Sequence, residues 1–139
     1  MARVLLVEDD APTRESMAEI LAVYGHDVRS AETAGQAHRL LVGSVRRFDV
    51  VVTDVVLPGG SFSILEHAHG QHMPVIMMTG HFEPAVRQRA LRQGAFAFLK
   101  KPVTGREIDR IVGYALAASR SRQRRTISSI APGSTSSSS

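Results

Sequence analysis

The chain has no cysteine among its 139 residues, which excludes disulfides, thiolate metal sites and cysteine nucleophiles. No apolar run approaches the roughly 20 residues of a membrane span. The N-terminus, Met1-Ala2-Arg3-Val4-Leu5-Leu6-Val7-Glu8, meets acids too early for a secretory signal, so a cytoplasmic protein without membrane contact is expected. There is no internal repeat and no second domain; the length suits one core with a short tail. A basic surface is also missing from most of the chain. All 13 Asp and Glu lie in residues 1–118, and the net charge of +4 resides in Arg120, Arg122, Arg124 and Arg125. Residues 1–118 are therefore not a nucleic-acid surface on charge grounds.

What the sequence does have is a buried strand that ends in a carboxylate. Val50-Val51-Val52-Thr53 runs straight into Asp54, and Val55-Val56-Leu57-Pro58-Gly59-Gly60 follows. A continuous apolar run of this length reads as a strand covered on both faces, with its last residue at the mouth of a sheet. Open α/β sheets place their chemistry on that edge.

Four more strands are legible: Val4–Val7, a weak one over Asp27–Ala31, Val75–Met78 and Phe96–Leu99. Helices fall between them. Asp10 and Pro12 open the first, and Thr33 with Gln36 caps the second. Ser63 with Glu66 matches a capping box for the third, Pro84 opens the fourth, and Thr104 with Glu107 caps the last. Such alternation argues a parallel sheet with helices on both faces. From Ser119 the sequence turns Arg- and Ser-rich and loses periodicity, so a disordered tail or linker is expected over 119–139.

The strand ends bring a set of polar groups to one edge. Glu8 and Asp9 follow the first strand, Asp54 ends the third, Thr79 the fourth, and Lys101 follows the fifth. Three carboxylates repel unless something neutralises them. A hard divalent cation such as Mg²⁺ accepts oxygen ligands of this kind, and a lysine supplies a point charge for an anion. A carboxylate nucleophile, a metal, a lysine and a hydroxyl are the parts needed for phosphoryl transfer onto an aspartate.

Residues 1–118 resemble the receiver domain of two-component response regulators. The motifs are Val7-Glu8-Asp9-Asp10, Asp54-Val55-Val56-Leu57-Pro58, Met78-Thr79-Gly80, and Gly94-Ala95-Phe96-Ala97-Phe98-Leu99-Lys100-Lys101-Pro102, in this order. The resemblance implies a flavodoxin-like doubly wound (βα)5 fold, its five parallel strands in the order 2-1-3-4-5. It implies that Asp54 is the phosphoacceptor, taking its phosphoryl group from a sensor histidine kinase or a phosphotransfer protein. Mg²⁺ would be held by Asp9 and Asp54, by Glu8 through water, and by the Val56 carbonyl. Lys101 and Thr79 would bind the phosphoryl group, with a cis bond between Lys101 and Pro102. Thr79 and Phe98 would form the switch, and Val56 and His81 would tune phosphoryl lifetime.

The face made by the fourth helix, fifth strand and fifth helix is the implied output and homodimer surface. Phe96-Ala97-Phe98 lacks the acidic residue used in the salt-bridged dimers of winged-helix regulators, and the downstream target is not encoded here. After residue 119 there is no helix-turn-helix, so the expectation is action by protein contact or a fragment of a longer regulator. Such a protein catalyses only its own phosphorylation and dephosphorylation. Two other classes compete. A Mg²⁺-dependent phosphatase with an aspartate nucleophile would carry a second aspartate at position 56, where this chain has Val56. A docking module that is never phosphorylated would have a damaged acid pocket, and this one is complete. His67, His69 and His72 read as a solvated polar stretch rather than a metal cluster. The Arg120–Arg125 run reads as a solvated tail before a polyanion site.

Overall fold

The computed structural model describes residues 2–129, with side chains through residue 122. Five strands alternate with five helices: β1 (Arg3–Val7), α1 (Ala11–Val23), β2 (Asp27–Ala31), α2 (Ala34–Gly43), β3 (Val50–Asp54), α3 (Phe62–Gly70), β4 (Val75–Thr79), α4 (Pro84–Arg92), β5 (Ala97–Lys100) and α5 (Gly105–Ser129). All strand pairs are parallel, in the order β2-β1-β3-β4-β5.

The strand sequences explain their places. Every residue of β1, β3 and β4 is buried, as their apolar runs require of central strands covered on both faces. The polar Asp27-Val28-Arg29-Ser30-Ala31 and the short Ala97–Lys100 are partly exposed and take the two edges. Because side chains alternate along a strand, one sheet builds two cores. Leu5, Val7, Val51 and Met77 pack with Ala37, Ile64, Leu65 and Ala90 from α2, α3 and α4. Val4, Leu6, Val52 and Met78 pack with Leu21, Ile108 and Val112 from α1 and α5. Right-handed crossovers put the helices on those two sides once the chain reverses direction between β2 and β3.

Three capping expectations hold, with one shortfall. Asp10 accepts from the Thr13 amide at 3.1 Å, and Thr33 from the Gln36 amide at 3.1 Å. Thr104 and Glu107 complete a reciprocal box, each accepting from the other's amide at 3.1 Å. The Gln36 side chain accepts from the Glu32 amide instead of closing its own box. The box expected at Ser63 does not form. Helix α3 begins two residues earlier, after Ser61, and the Ser63 hydroxyl donates to the Gly60 carbonyl at 3.2 Å.

The end of α5 departs furthest from expectation. The helix continues past residue 118 to Ser129. Arg120, Arg122, Gln123, Arg124 and Arg125 in this stretch are good helix formers, and no proline follows until Pro132. A sequence poor in apolar residues does not break a helix that is already nucleated. The expectation for residues 130–139 lies outside the described residues. Among the described residues no helix is long and apolar enough to cross a membrane.

Candidate functional site

The register of the sheet builds the site. Val7 lies opposite Thr53, so the residue after β1, Glu8, comes level with Asp54. Asp54 pairs with Met78 and Thr79 with Lys100, which carries Lys101 to the same edge. Strand β1 continues into α1 on one side of the sheet and β3 into α3 on the other, leaving a crevice at their carboxyl ends.

Three carboxylates meet there. Glu8, Asp9 and Asp54 each offer an oxygen within 4.8 Å of the others. Glu8 is 1% exposed and Asp54 8%, whereas Asp9 faces solvent. Lys101 supplies the opposing charge: its Nζ donates to Glu8 Oε1 at 2.5 Å and to Asp54 Oδ2 at 3.3 Å. One ammonium does not balance three carboxylates. Burial, helped by the neighbouring Glu8, raises the Asp54 carboxyl above its ordinary value despite Lys101. Burial works against the charge of Lys101 too, but its hydrogen bond to Glu8 and the charge of Asp54 outweigh it and raise its pKa.

The remaining predicted residues fall around this cluster. The Lys101–Pro102 bond is cis, and the Lys101 amide donates to the Thr79 carbonyl at 2.7 Å. Thr79 is 3% exposed, yet its hydroxyl is engaged locally: it donates to the His81 carbonyl at 2.9 Å and accepts from the His81 amide at 3.1 Å. Phe98 is half-buried against the α2–α4 core, with its ring edge-to-face on Phe82 at 6.1 Å between centroids. The Val56 and His81 side chains are exposed beside the crevice. Asp10 is the cap of α1, and the Thr13 hydroxyl holds its carboxyl below the ordinary range. The histidines do not converge. His67 meets His38 edge-on, and His69 lies against Gly94. Among the described residues the acid trio is the group able to hold a metal.

Three contributors escaped the sequence reading. Ser61 is 1% exposed and its hydroxyl donates to the Val55 carbonyl at 2.5 Å, folding the β3–α3 loop back on itself. Gly59 has φ +88°, and a β-carbon there would stand 2.9 Å from that of Ala34. Arg14 donates to the Glu8 carbonyl at 2.9 Å. None belongs to a repeating pattern. Only the Pro-Gly-Gly turn, which places Gly59 in a left-handed position, left a sequence signal. Beside the cluster, a groove of about 580 Å³ runs between α1 and the β5–α5 loop, lined by Pro12, Met17, Ile20, Lys101 and Val103.

Comparison with known proteins agrees with this geometry. The family model "response regulator receiver domain" matches residues 4–113. The chain is 34% identical over 119 residues to the response regulator protein FleR of Pseudomonas aeruginosa, covering 83% of this chain and 25% of FleR. It is 34% identical over 111 residues to the two-component response regulator-like APRR7 of Arabidopsis thaliana, covering 76% of this chain and 15% of that protein. The chain thus spans a quarter or less of these two relatives. The crystal structure of a response regulator receiver domain protein from Clostridium thermocellum superposes with a TM-score of 0.81 at 27% identity, over 86% of this chain and 98% of that one. The five-stranded 2-1-3-4-5 sheet, the acid cluster on its carboxyl edge and these likenesses agree: the chain belongs to the response regulator receiver domain family of two-component systems.

Proposed function

We propose that this chain is a phosphorylation switch in which Asp54 accepts a phosphoryl group from a phosphohistidine on a partner kinase or phosphotransfer protein. The observation that carries this reading is the position of Asp54. It sits at the carboxyl end of β3, nearly buried, among Glu8 and Asp9 and within 3.3 Å of the Lys101 ammonium. A carboxylate so placed is a nucleophile with anion-binding charge beside it.

The donor set fits Mg²⁺: oxygens only, an excess of negative charge over the single lysine, and an Asp54 whose carboxyl is already strained toward protonation. Asp9, Asp54, the Val56 carbonyl and Glu8 through water would hold the ion. When bound, it supplies charge neutralisation for the phosphoryl oxygens. Asp54 attacks the phosphorus in line, a P–O bond forms as the P–N bond to the donor histidine breaks, and the imidazole leaves. Lys101, which already bridges two carboxylates, turns to the phosphoryl oxygens as charge accumulates on Asp54. The Thr79 hydroxyl gives up the His81 carbonyl and donates to a phosphoryl oxygen. That movement reaches the Phe82–Phe98 pair, whose repacking alters the surface of α4, β5 and α5. The same surface is the candidate homodimer and output face.

The exposed Val56 and His81 side chains flank the path of an attacking water and set the lifetime of the aspartyl phosphate. The groove along α1 gives a protein donor a partly apolar surface ending at Lys101. The reactions proposed for the chain are its own phosphorylation and dephosphorylation, in a cytoplasmic setting. Intact mass after incubation with acetyl phosphate and Mg²⁺ tests the reading, beside Asp54→Asn and a chelator control. A single adduct that requires both the metal and Asp54 is expected. A folded, Mg²⁺-binding protein that takes no phosphoryl group would instead be a docking module.

A further inference from the structure

Arg14 lies outside the motifs that mark this family in the sequence, yet its guanidinium reaches the site. It stands in the first turn of α1, and its Nη1 donates to the Glu8 carbonyl at 2.9 Å. The side chain is 19% exposed, with Glu32 Oε2 beyond it at 3.8 Å. The carbonyl it holds belongs to the peptide that joins Glu8 to Asp9. That segment is fastened at two further points. The Glu8 amide donates to the Ala31 carbonyl at 3.0 Å, and the Asp10 amide donates to Glu8 Oε2 at 3.2 Å. The Asp9 carboxylate itself is exposed and has no hydrogen bond or ion pair among the described residues. A carboxylate without a side-chain partner is aimed only by its backbone.

We propose that Arg14 is a positioning residue that sets the Asp9 carboxylate by holding the Glu8–Asp9 peptide, and so governs affinity for Mg²⁺ without touching the ion. This rests on Asp9 being a metal-binding acid. Groups that orient metal ligands typically change affinity by about 10–100-fold when removed. The alternative has the opposite sign. If Arg14 acted only through its charge, it would repel a nearby cation, and removing it would tighten Mg²⁺ binding.

Titration calorimetry of the full chain with Mg²⁺ separates these cases. Arg14→Met keeps the aliphatic stem and is expected to weaken binding about tenfold, the lower end of that range. Arg14→Lys, which can restore one donor, should fall between Met and wild type. Glu32→Gln removes only the outer ion pair and should stay within about twofold of wild type. A second readout is the Mg²⁺ concentration giving half-maximal acetyl phosphate adduct. It should rise by the same factor, while the yield at saturating Mg²⁺ stays at the wild-type level. Unchanged or tighter Mg²⁺ binding in a folded Arg14→Met protein overturns the role of Arg14 alone. Should that variant not fold, Arg14→Ala takes its place, and wild-type Mg²⁺ affinity there together with an unaltered adduct curve overturns it equally. A wild-type protein that binds no Mg²⁺ overturns the metal reading itself, and this inference with it.

Discussion

Lys101 Nζ and Glu8 Oε1 lie 2.5 Å apart across 93 positions of sequence. Glu8 is almost entirely buried, while Lys101 keeps 23% of its side chain exposed. The pair therefore has unequal ends: a carboxylate almost wholly buried and an ammonium partly open to solvent. Glu8 is also the acceptor for the Asp10 amide and, through its carbonyl, for Arg14. In the proposed switch it would be the fixed end of the site, and Lys101 the end that turns. A residue committed to structure and a residue free to exchange partners are what a phosphorylation switch requires of its two charges.

Lys101→Met should therefore cost more than a surface lysine would. It leaves Glu8 ionised, buried and without its cation, an arrangement that typically costs about 3 kcal/mol or more. Urea denaturation at neutral pH should show a loss of about this size. Adding Glu8→Gln should recover part of it, since the double variant no longer buries an unpaired charge. If the double variant is less stable than Lys101→Met alone, the pair is not the source of the loss. Acetyl phosphate should give little adduct in either variant.

Asp54→Asn should raise stability at neutral pH when no divalent cation is present. Burial raises the folded-state pKa of Asp54 above the ordinary 3.8, so the folded protein binds that proton more tightly than the unfolded chain. Stability from that proton is fully present below the unfolded value and is lost as pH rises through the folded value. Asparagine cannot lose it. The difference in melting temperature should favour the variant at pH 7 and shrink as the pH falls toward 4. Lys101 retains Glu8 as a partner in the variant. Added Mg²⁺ should close the gap at pH 7 by stabilising the wild type more. A variant less stable than wild type at neutral pH would mean that the Lys101 contact outweighs the burial of Asp54.

Much of this was legible before any coordinates. Strand identity followed from runs such as Val50–Thr53, and sheet order from the family likeness. The site residues lie at strand ends, where sequence position translates directly into place. The parts that escaped are those that depend on register or on single side-chain reaches. Arg14 reads as an ordinary helical arginine until β1 sets the Glu8 carbonyl beside it. Ser63 satisfies the capping pattern, but Ser61 folds onto Val55 first and starts the helix earlier. Beyond Ser119 composition speaks against packing but leaves helix open. Those are separate questions, as the course of α5 shows.

Gly59→Ala tests the loop that carries Val56. A side chain at φ +88° is strained by about 1–2 kcal/mol. The new methyl would also stand 2.9 Å from the Ala34 β-carbon. The Ala34 amide donates to the Pro58 carbonyl at 3.0 Å, so the loop cannot move aside without breaking that bond. The variant should be destabilised by about 2 kcal/mol in total. Ala34→Gly in the same chain should relieve only the contact, leaving the backbone strain. Full recovery in that double variant would place the whole cost in the contact with Ala34.

Truncation after residue 118 separates helix formation from domain stability. Among the described residues, the buried ones of α5 are Ile108, Val112 and Ala115, all within the retained part. Removing 119–139 should therefore leave the melting temperature within a few degrees, since these three core residues are kept. It should nonetheless lower total helical ellipticity per molecule, because α5 continues to Ser129 in the full chain. The Mg²⁺-dependent adduct on Asp54 should form equally in both. Equal ellipticity per molecule would mean that the helix ends near residue 118. A large fall in melting temperature would mean that the extension packs against the domain. Either result would change how the tail is used: a continuous helix transmits the orientation of α5 to whatever is attached beyond it, whereas a chain that frays at residue 118 transmits only proximity.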